Sequence, residues 1–193
     1  MIAYTDNGDG SYTVNCGLNI DGDGANGATG GVACYVPAGS GLPSLDYLAN
    51  AGSPGDWWGI YCDVHGVPLT QDATMPVPGA YISTTSYQNL QFQASDPQRY
   101  LDAVAVPFIV VPRRFQTSVP GAVLGCKAIV TYGGVSPVTA VVGDIGPDFG
   151  EGSIALAKAL GIPGTPKSGG VNSGVVMQIF PGVAAPGFQL EPA

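Results

Sequence analysis

The stretch VVGDIGPDFGEGSIALAKALGIP, residues 141–163, brings acidic residues, glycines and a helix signal together in one short segment. Two valines end an apolar run of strand type, and residues 143–152 are rich in turn formers. Ser153 then opens a segment of helix-forming Ala, Leu and Lys that is predicted to stop at Gly161 and Pro163. The order strand, turn, short helix places most of the chemistry in the loop between two regular elements.

Three carboxyl groups crowd this loop: Asp144 leaves the strand, Asp148 lies in the turn, and Glu151 comes two residues before the predicted N-cap Ser153. Like charges that lie close together raise the pKa of at least one group. A protonated carboxyl beside an ionised one is what general acid/base hydrolysis needs. The structural alternative is that the aspartates shape the turn and Glu151 favours the helix N-terminus. Because the other glutamate, Glu191, lies in a Pro/Gly-rich tail, Glu151 is the sole glutamate of the predicted folded body.

The composition predicts one mainly β domain over residues 1–193. Apolar residues make up 45% of the 193 residues and charged residues 10%, with 30 glycines and 17 prolines, which favours short strands joined by tight turns. The formal charge of -8 and the scattered Lys and Arg residues argue against binding of nucleic acid. An acidic surface would instead attract a cationic substrate.

The four cysteines show no spacing suited to zinc, and their even number permits two disulfides with three connectivities. We expect at least one disulfide, Cys34–Cys62, because both cysteines lie in a loop region without a core of its own. Low lysine content and many Gly, Ser, Thr and Asn residues are typical of an extracellular protein. We expect a secreted protein whose signal peptide is absent from this chain, with no membrane-spanning helix, metal or cofactor.

Two acidic glycine turns, residues 6–10 and 21–24, are similar to fragments of calcium loops but lack the ligand spacing of an EF-hand. Short strands at residues 11–14 and 16–20 predict a hairpin near the N-terminus. Asp21 and Asp23 then emerge at a strand end. They either cap the turn or lie in a substrate cleft.

Residues 25–80 form a predicted loop region that is interrupted by prolines. The pair Trp57 and Trp58 could stack on sugar rings, but paired tryptophans more often anchor a loop to the core, and anchoring is the favoured interpretation. The single histidine, His65, is more typical of a hydrogen-bonded structural residue than of a metal ligand.

The second half of the chain is predicted to be rich in strands. Residues 81–93 alternate enough for a strand pair, and residues 104–111 indicate a buried strand. Asp102 lies at the entrance to that buried strand. It either caps the preceding backbone or is a carboxyl group positioned for function. Strands at residues 128–132 and 138–142 flank a Gly-Gly turn, and a last strand covers residues 175–180.

Three segments closely resemble glycoside hydrolase family 75, the chitosanases: LDAVAVPFIVVP (101–112), TAVVGDIGPDFGEGSIALAKALGIP (139–163) and SGGVNSGVVMQIFPG (168–182). The central segment is also similar to rare-lipoprotein-A-type and family 45 proteins. That similarity implies a six-stranded double-psi β-barrel with long loops and one or two short helices. The barrel core is expected at residues 81–181, with the hairpin and decorated loops at 1–80. Those relatives carry an acidic residue where this chain has Ala155, so the role of that acidic residue is not assigned to position 155.

The resemblance implies a monomeric enzyme that cleaves the β-1,4 bonds of chitosan internally, with inversion. It assigns catalysis to Glu151, expected to be the acid, and to Asp102, expected to be the base, with Asp144 as their functional neighbour. Substrate binding is expected at three further acids, Asp21, Asp23 and Asp148. Two alternatives remain open, namely a peptidoglycan-cleaving enzyme and a non-catalytic, expansin-like carbohydrate-binding barrel.

Overall fold

Six strands form a closed β-barrel in the computed structural model, which describes residues 1–191. The nine strands are β1 (Tyr4–Asp6), β2 (Tyr12–Asp21), β3 (Gly52–Ser53), β4 (Asp56–Trp57), β5 (Phe108–Pro112), β6 (Cys126–Tyr132), β7 (Val138–Gly146), β8 (Glu151–Ser153) and β9 (Val171–Ala184). The barrel order is β2, β8, β5, β7, β6, β9, and it closes because β9 pairs back onto β2. β1 forms a hairpin with β2, and β3 pairs with β4 in the loop region.

The barrel combines parallel and antiparallel strand pairs. β2 and β8 are parallel, as are β5 and β7, while the other four barrel pairs are antiparallel. The mainly β, six-stranded barrel predicted from the sequence is thereby confirmed, and its two parallel pairs are consistent with a double-psi arrangement.

The helices of residues 1–191 are all short. They are two α-helices, α1 (Arg113–Ser118) and α2 (Ile154–Ala159), and two 3₁₀ helices, Leu48–Ala51 and Pro97–Arg99. α2 begins where the sequence predicts a helix, because the hydroxyl of Ser153 accepts a hydrogen bond from the amide of Leu156 at 3.1 Å. No helix within residues 1–191 is long and apolar enough to cross a membrane.

β5 lies between two apolar clusters, because other side chains pack against both of its faces. Ile109 and Val111 point into the barrel core, whereas Phe108 and Val110 pack outside the barrel against a second apolar cluster. That second cluster includes residues of the loop region between β2 and β5, which lies against the outer wall. A groove remains where the loop region and the wall diverge.

The structure differs from the predicted strands in two places. β2 is one continuous strand of the barrel, so the barrel extends beyond residues 81–181. Residues 81–93 make isolated bridges at Tyr81, Ser83 and Gln88 instead of a strand pair. The bridge partners are Thr70, Ile60 and Tyr100, which belong to three separate segments, so no continuous ladder forms.

The cysteines require a correction, because all four are free thiols. The predicted Cys34–Cys62 disulfide is absent. Cys34 is buried in the second cluster, with its Sγ atom only 2.7 Å from where a Cβ on Gly22 would lie. Cys62 is half-buried elsewhere and directs its Sγ atom at the carbonyl of Ile60, 3.7 Å away. Each thiol is accommodated by its own surroundings.

Candidate active site

Two carboxyl groups lie on either side of β5 on the outer wall of the barrel. Val110 of β5 is opposite Asp144 of the parallel strand β7. β8 runs antiparallel to β5 with Gly152 opposite Ile109, so the next position of that register sets Glu151 beside Val110. Neighbouring strands are about 4.8 Å apart, which puts the backbones of Glu151 and Asp144 roughly 10 Å apart. Both side chains face one groove.

A bulge aims Asp144 at this groove. Val142 points into the barrel core, and in a regular strand Asp144, two residues later, would point the same way. The register of β7 against β5 shifts by one residue at this point, so Asp144 turns to the outer face. Gly143 suits the bulge because a Cβ there would lie 2.8 Å from the Cβ of Phe108. The bulge therefore decides whether this carboxyl group meets solvent or the core.

The groove is an open, strongly acidic cleft of about 760 Å³, called the acidic cleft below. The carboxyl groups that line it are Asp21, Asp23, Asp46, Asp144 and Glu151. Asp21 reaches it because β2 ends there, with Asp21 opposite Ser153 of β8. Asn19, exposed on the same face of β2, lies opposite Glu151. Five acids in one cleft, with no basic residue lining it in the described chain, favour a cationic ligand.

Asp144 is held through one of its two oxygens. Its side chain is part of a residue only 8% exposed, and its Oδ1 atom accepts hydrogen bonds from the amide of Ser86 at 3.0 Å, the hydroxyl of Ser86 at 2.5 Å and the amide of Ile145 at 2.7 Å. Burial raises the pKa of Asp144, and these hydrogen bonds oppose that rise. Its Oδ2 atom accepts no hydrogen bond from residues 1–191, so this oxygen is available to a ligand.

Glu151 has the opposite environment. It is half-buried, and its carboxyl group receives no hydrogen bond from any residue that the structure describes. Burial raises the pKa of Glu151, and the negative charges of Asp144 and Asp148 raise it further. Gly146 leaves room for the group, since a Cβ there would lie 3.2 Å from the Oε2 atom of Glu151. Burial and like charges therefore strengthen proton binding by Glu151, whereas the hydrogen bonds on Asp144 offset part of the effect of burial there.

Asp21 and Asp23 extend the negative charge of the cleft. Burial raises the pKa of both, and in each case neighbouring carboxylates add to the effect, first Asp144 for Asp21 and first Asp21 for Asp23. The buried hydroxyl of Tyr35 donates a hydrogen bond of 2.6 Å to Asp23. The cluster therefore holds protons more strongly than the same groups would in water.

Asp46 is buried beside them and is hydrogen-bonded within its own turn. It accepts from the amide of Tyr47 at 2.7 Å and from the side-chain amide of Asn50 at 2.9 and 3.1 Å. These donors satisfy both of its oxygens, so Asp46 supports the cleft more than it offers a free carboxylate.

Two sequence-predicted site residues lie elsewhere. Asp102 sits in a turn, where its Oδ1 atom accepts a hydrogen bond from the amide of Val104 at 2.9 Å, and it lines a separate cavity beside Tyr87. Asp148 accepts from the guanidinium of Arg114 and from the amide of Ile2. The structure thus brings Asp21 and Asp23, but not Asp102 or Asp148, into the cleft of Glu151.

Burial works to raise the pKa of Asp148, but the hydrogen bonds from Arg114, the amide of Phe149 and the amide of Ile2 hold it well below its usual range. The ionised Asp148 ties the N-terminal segment to the loop that precedes Glu151. Its part is to hold that loop, as the structural interpretation of the turn anticipates.

The two tryptophans of the pair have different surroundings. Trp57 is half-buried and packs with the second cluster, as the anchoring interpretation expects. Trp58 is 63% exposed and lines the acidic cleft, with its Nε1 atom donating to the carbonyl of Asn50 at 3.1 Å. An exposed, fixed indole beside a cleft can stack on a sugar ring. The sequence pattern does not show which of these two neighbouring tryptophans is buried and which is exposed.

Sequence reasoning also missed Ser86, Tyr35 and Asp46. Each acts through a contact with a residue distant in the chain or through a local turn, and none has a distinctive spacing. Among residues 1–191, no group of three or more His, Cys, Asp or Glu side chains is arranged to hold a metal ion.

In comparisons with known proteins, no protein-family model matches the chain and no curated protein matches it significantly.

Proposed function

We propose that this protein is an endo-acting glycoside hydrolase that cleaves β-1,4 bonds of chitosan with inversion at the anomeric carbon. The observation that carries the proposal is the pairing of Glu151 with Asp144 across Val110 in an open cleft. One of these carboxyl groups lacks hydrogen-bond donors from the described chain, and the other is held through a single oxygen. Such a difference in environment assigns the acid and the base.

Glu151 acts as the acid in the proposed reaction. Its proton passes to the glycosidic oxygen while the bond from that oxygen to the anomeric carbon breaks, and the bonding electron pair stays on the leaving oxygen. Water attacks the anomeric carbon from the opposite face, and the Oδ2 atom of Asp144 accepts a proton from it. A later proton exchange with solvent restores both groups. Inversion requires carboxyl groups roughly 6.5–9.5 Å apart, and two strand spacings leave room for that separation.

Asp144 replaces Asp102 as the proposed base. The carboxylate of Asp102 caps its own turn through Val104 and lines a different cavity from Glu151. A base must reach the attacking water within hydrogen-bond distance, directly or through one further water. Asp144 lines the same cleft as the acid, and its Oδ2 atom accepts no hydrogen bond from residues 1–191, which supports this role.

The cleft chemistry supports an amino-sugar polymer as substrate. Asp21 and Asp23 add negative charge beside the reacting pair, and the chain carries a formal charge of -8. Protonated amines on successive sugars would be drawn to such a surface. Trp58 supplies a flat apolar platform for a pyranose ring.

The test is to incubate the protein with chitosan, cellulose and peptidoglycan and to measure new reducing ends. We expect rapid release from chitosan alone, and NMR of the first products should show the α-anomer. Release from peptidoglycan alone would contradict the choice of substrate. Binding to chitosan without release would favour a carbohydrate-binding barrel, for which the exposed indole of Trp58 is the supporting observation.

A further inference from the structure

A second cavity adjoins the acidic cleft at Asp144. It has a volume of about 570 Å³ and shares four lining residues with the cleft, which are Asp23, Trp58, Asp144 and Ile145. The two cavities therefore form one groove that runs across the proposed base. We call the second cavity the aromatic pocket.

The walls of the aromatic pocket differ in character from those of the acidic cleft. Its own residues include the aromatic side chains of Trp57, Tyr61 and Tyr100 and the hydroxyl groups of Thr84 and Thr85. Within the described chain, the only acids that line it are the two that it shares with the cleft. Rings and hydroxyl groups provide stacking and hydrogen bonds for an uncharged sugar, and beyond the shared boundary they carry no negative charge to favour an ammonium group.

One cation faces this pocket. Arg113, the first residue of α1, is exposed and lines the cavity. Neither of the ion pairs found among residues 1–191 involves Arg113; the guanidinium that pairs with Asp148 belongs to its neighbour, Arg114. An unneutralised guanidinium repels a protonated amine but can donate hydrogen bonds to a carbonyl oxygen. The acetamido group of an N-acetylated sugar carries such an oxygen.

We propose that the aromatic pocket is a subsite for an uncharged, N-acetylated sugar unit, next to an acidic cleft that takes a cationic glucosamine unit. This inference rests on the proposed function and adds a preference to it. The groove would select junctions between acetylated and free units in a partly acetylated polymer. Of the two ends produced by each cleavage, one should be enriched in acetylated units and the other in free amines.

Binding can be tested without turnover. The chain has two tryptophans, and both line the aromatic pocket, so intrinsic tryptophan fluorescence reports this site. In the Glu151→Gln protein, tri-N-acetylchitotriose should change the emission on binding, and Trp58→Ala should weaken that binding by about tenfold because a stacking contact is lost. Trp57 lines the aromatic pocket but not the acidic cleft, so the two trimers are compared in the Glu151→Gln/Trp58→Ala protein, where Trp57 is the remaining reporter. An unchanged emission with the acetylated trimer in the Glu151→Gln protein, or an equal response of Trp57 to the fully deacetylated trimer at equal concentration, would overturn the proposal.

Product analysis tests the preference itself. Partly acetylated chitosan is digested, and the units at both new ends are identified by mass spectrometry after labelling of the reducing end. We expect opposite enrichment at the two ends in the wild type, reduced at least about threefold by Arg113→Glu, which replaces repulsion of an amine by attraction. Lys158→Glu makes the same charge change in the last turn of α2, away from the groove, and should leave the enrichment unchanged.

The outcomes separate the two proposals. Cleavage with random ends, or an enrichment that Arg113→Glu does not alter, would contradict the subsite while leaving the hydrolase intact. No cleavage of any chitosan would contradict the proposed function, and the fluorescence titration would still decide whether the pocket binds an acetylated sugar.

Discussion

Ser86 donates two hydrogen bonds to a single oxygen of Asp144, from its amide at 3.0 Å and from its hydroxyl at 2.5 Å. The hydroxyl oxygen also accepts a hydrogen bond from the amide of Ile145 at 3.2 Å. Ser86 belongs to the loop region and Asp144 to the barrel wall. The contact therefore fixes one carboxylate oxygen, leaves the other toward the cleft, and joins the two parts of the fold at the proposed base.

Ser86→Ala should change the pH dependence of activity as well as its rate. Hydrogen bonds from Ser86 lower the pKa of Asp144 against the effect of burial, so loss of the hydroxyl should raise that pKa. The acidic limb of the kcat profile should move to higher pH, and the maximal rate should fall by about tenfold. Ser86→Thr, which keeps a hydroxyl, should restore both. A lower rate with an unshifted pH profile would mean that Ser86 has only a structural part.

Thermal stability should be greater in weak acid than at pH 8. The pKa of Asp21, Asp23, Asp144 and Glu151 is raised by burial, so the folded state binds more protons than the unfolded state. Stability is then lost as the pH rises from about 4, the ordinary value, through the raised values. The lowered pKa of Asp148 acts in the opposite direction, but its contribution is lost only as the pH falls below about 4. Melting curves recorded between pH 4.5 and pH 8 would measure the trend. The lower limit lies about half a unit above the ordinary carboxyl pKa, and the upper limit lies about four units above it.

Two aspartate variants, a test and its matched control, examine the origin of that trend. Asp23→Asn removes a charge from the cluster and should raise the Tm at pH 8 and flatten its dependence on pH. Asp56→Asn makes the same change at an exposed position of β4 and should alter neither. A Tm that increases steadily toward pH 8 in the wild type would show that the cluster does not retain its protons.

Gly143→Ala should damage both stability and activity. A Cβ at this position would lie 2.7 Å from the Cδ1 atom of Leu101 and 2.8 Å from the Cβ of Phe108, in a packed region. Overpacking of this kind costs about 1–3 kcal/mol of unfolding free energy, and relief by movement of the bulge would re-aim Asp144. Gly134→Ala, in an open turn with nothing near the added atom, should stay within about 0.5 kcal/mol. Urea unfolding and kcat measure the two effects, and equal behaviour of both variants would contradict the account of the bulge.

The thiols should react according to their burial. Cys16, Cys34 and Cys126 are buried and Cys62 is half-buried, and all four are free. A maleimide reagent should modify Cys62 alone in the native protein and all four cysteines in denaturant without reductant. Mass spectrometry counts the labels. Fewer than four labels in the unreduced, denatured protein would reveal a disulfide and contradict the structure.

Local signals in the sequence predicted those parts of the site that depend on neighbouring residues. The short helix after Ser153 follows from its cap, and the closeness of Asp144 to Glu151 follows from a spacing of seven residues. The parallel pairing that sets Asp21 opposite Ser153 joins distant segments and leaves no local pattern. The Oδ1 atom of Asp102 accepts a hydrogen bond from the amide of Val104. No local pattern in the sequence decides between this turn and a position facing Glu151.

The bulge in β7 is the other feature beyond the reach of pattern analysis. Strict alternation from Val142 would bury Asp144 in the barrel, and only the register against β5 shows that it faces outward. A glycine in a strand is a general sign of a bulge or a close approach, but it does not say which way the next side chain turns.

The most direct test of the central claim is the rate of reducing-end release from chitosan by the wild type, Glu151→Gln, Asp144→Asn and Asp102→Asn. The first two variants keep side-chain shape and remove the proton donor or the base, so each should lower kcat by about 10²- to 10⁴-fold with unchanged binding of chitosan. Asp102→Asn lies outside the cleft and should remain within about threefold of the wild type. Near-normal turnover in Glu151→Gln or Asp144→Asn, or a loss confined to Asp102→Asn, would contradict the pair proposed across Val110.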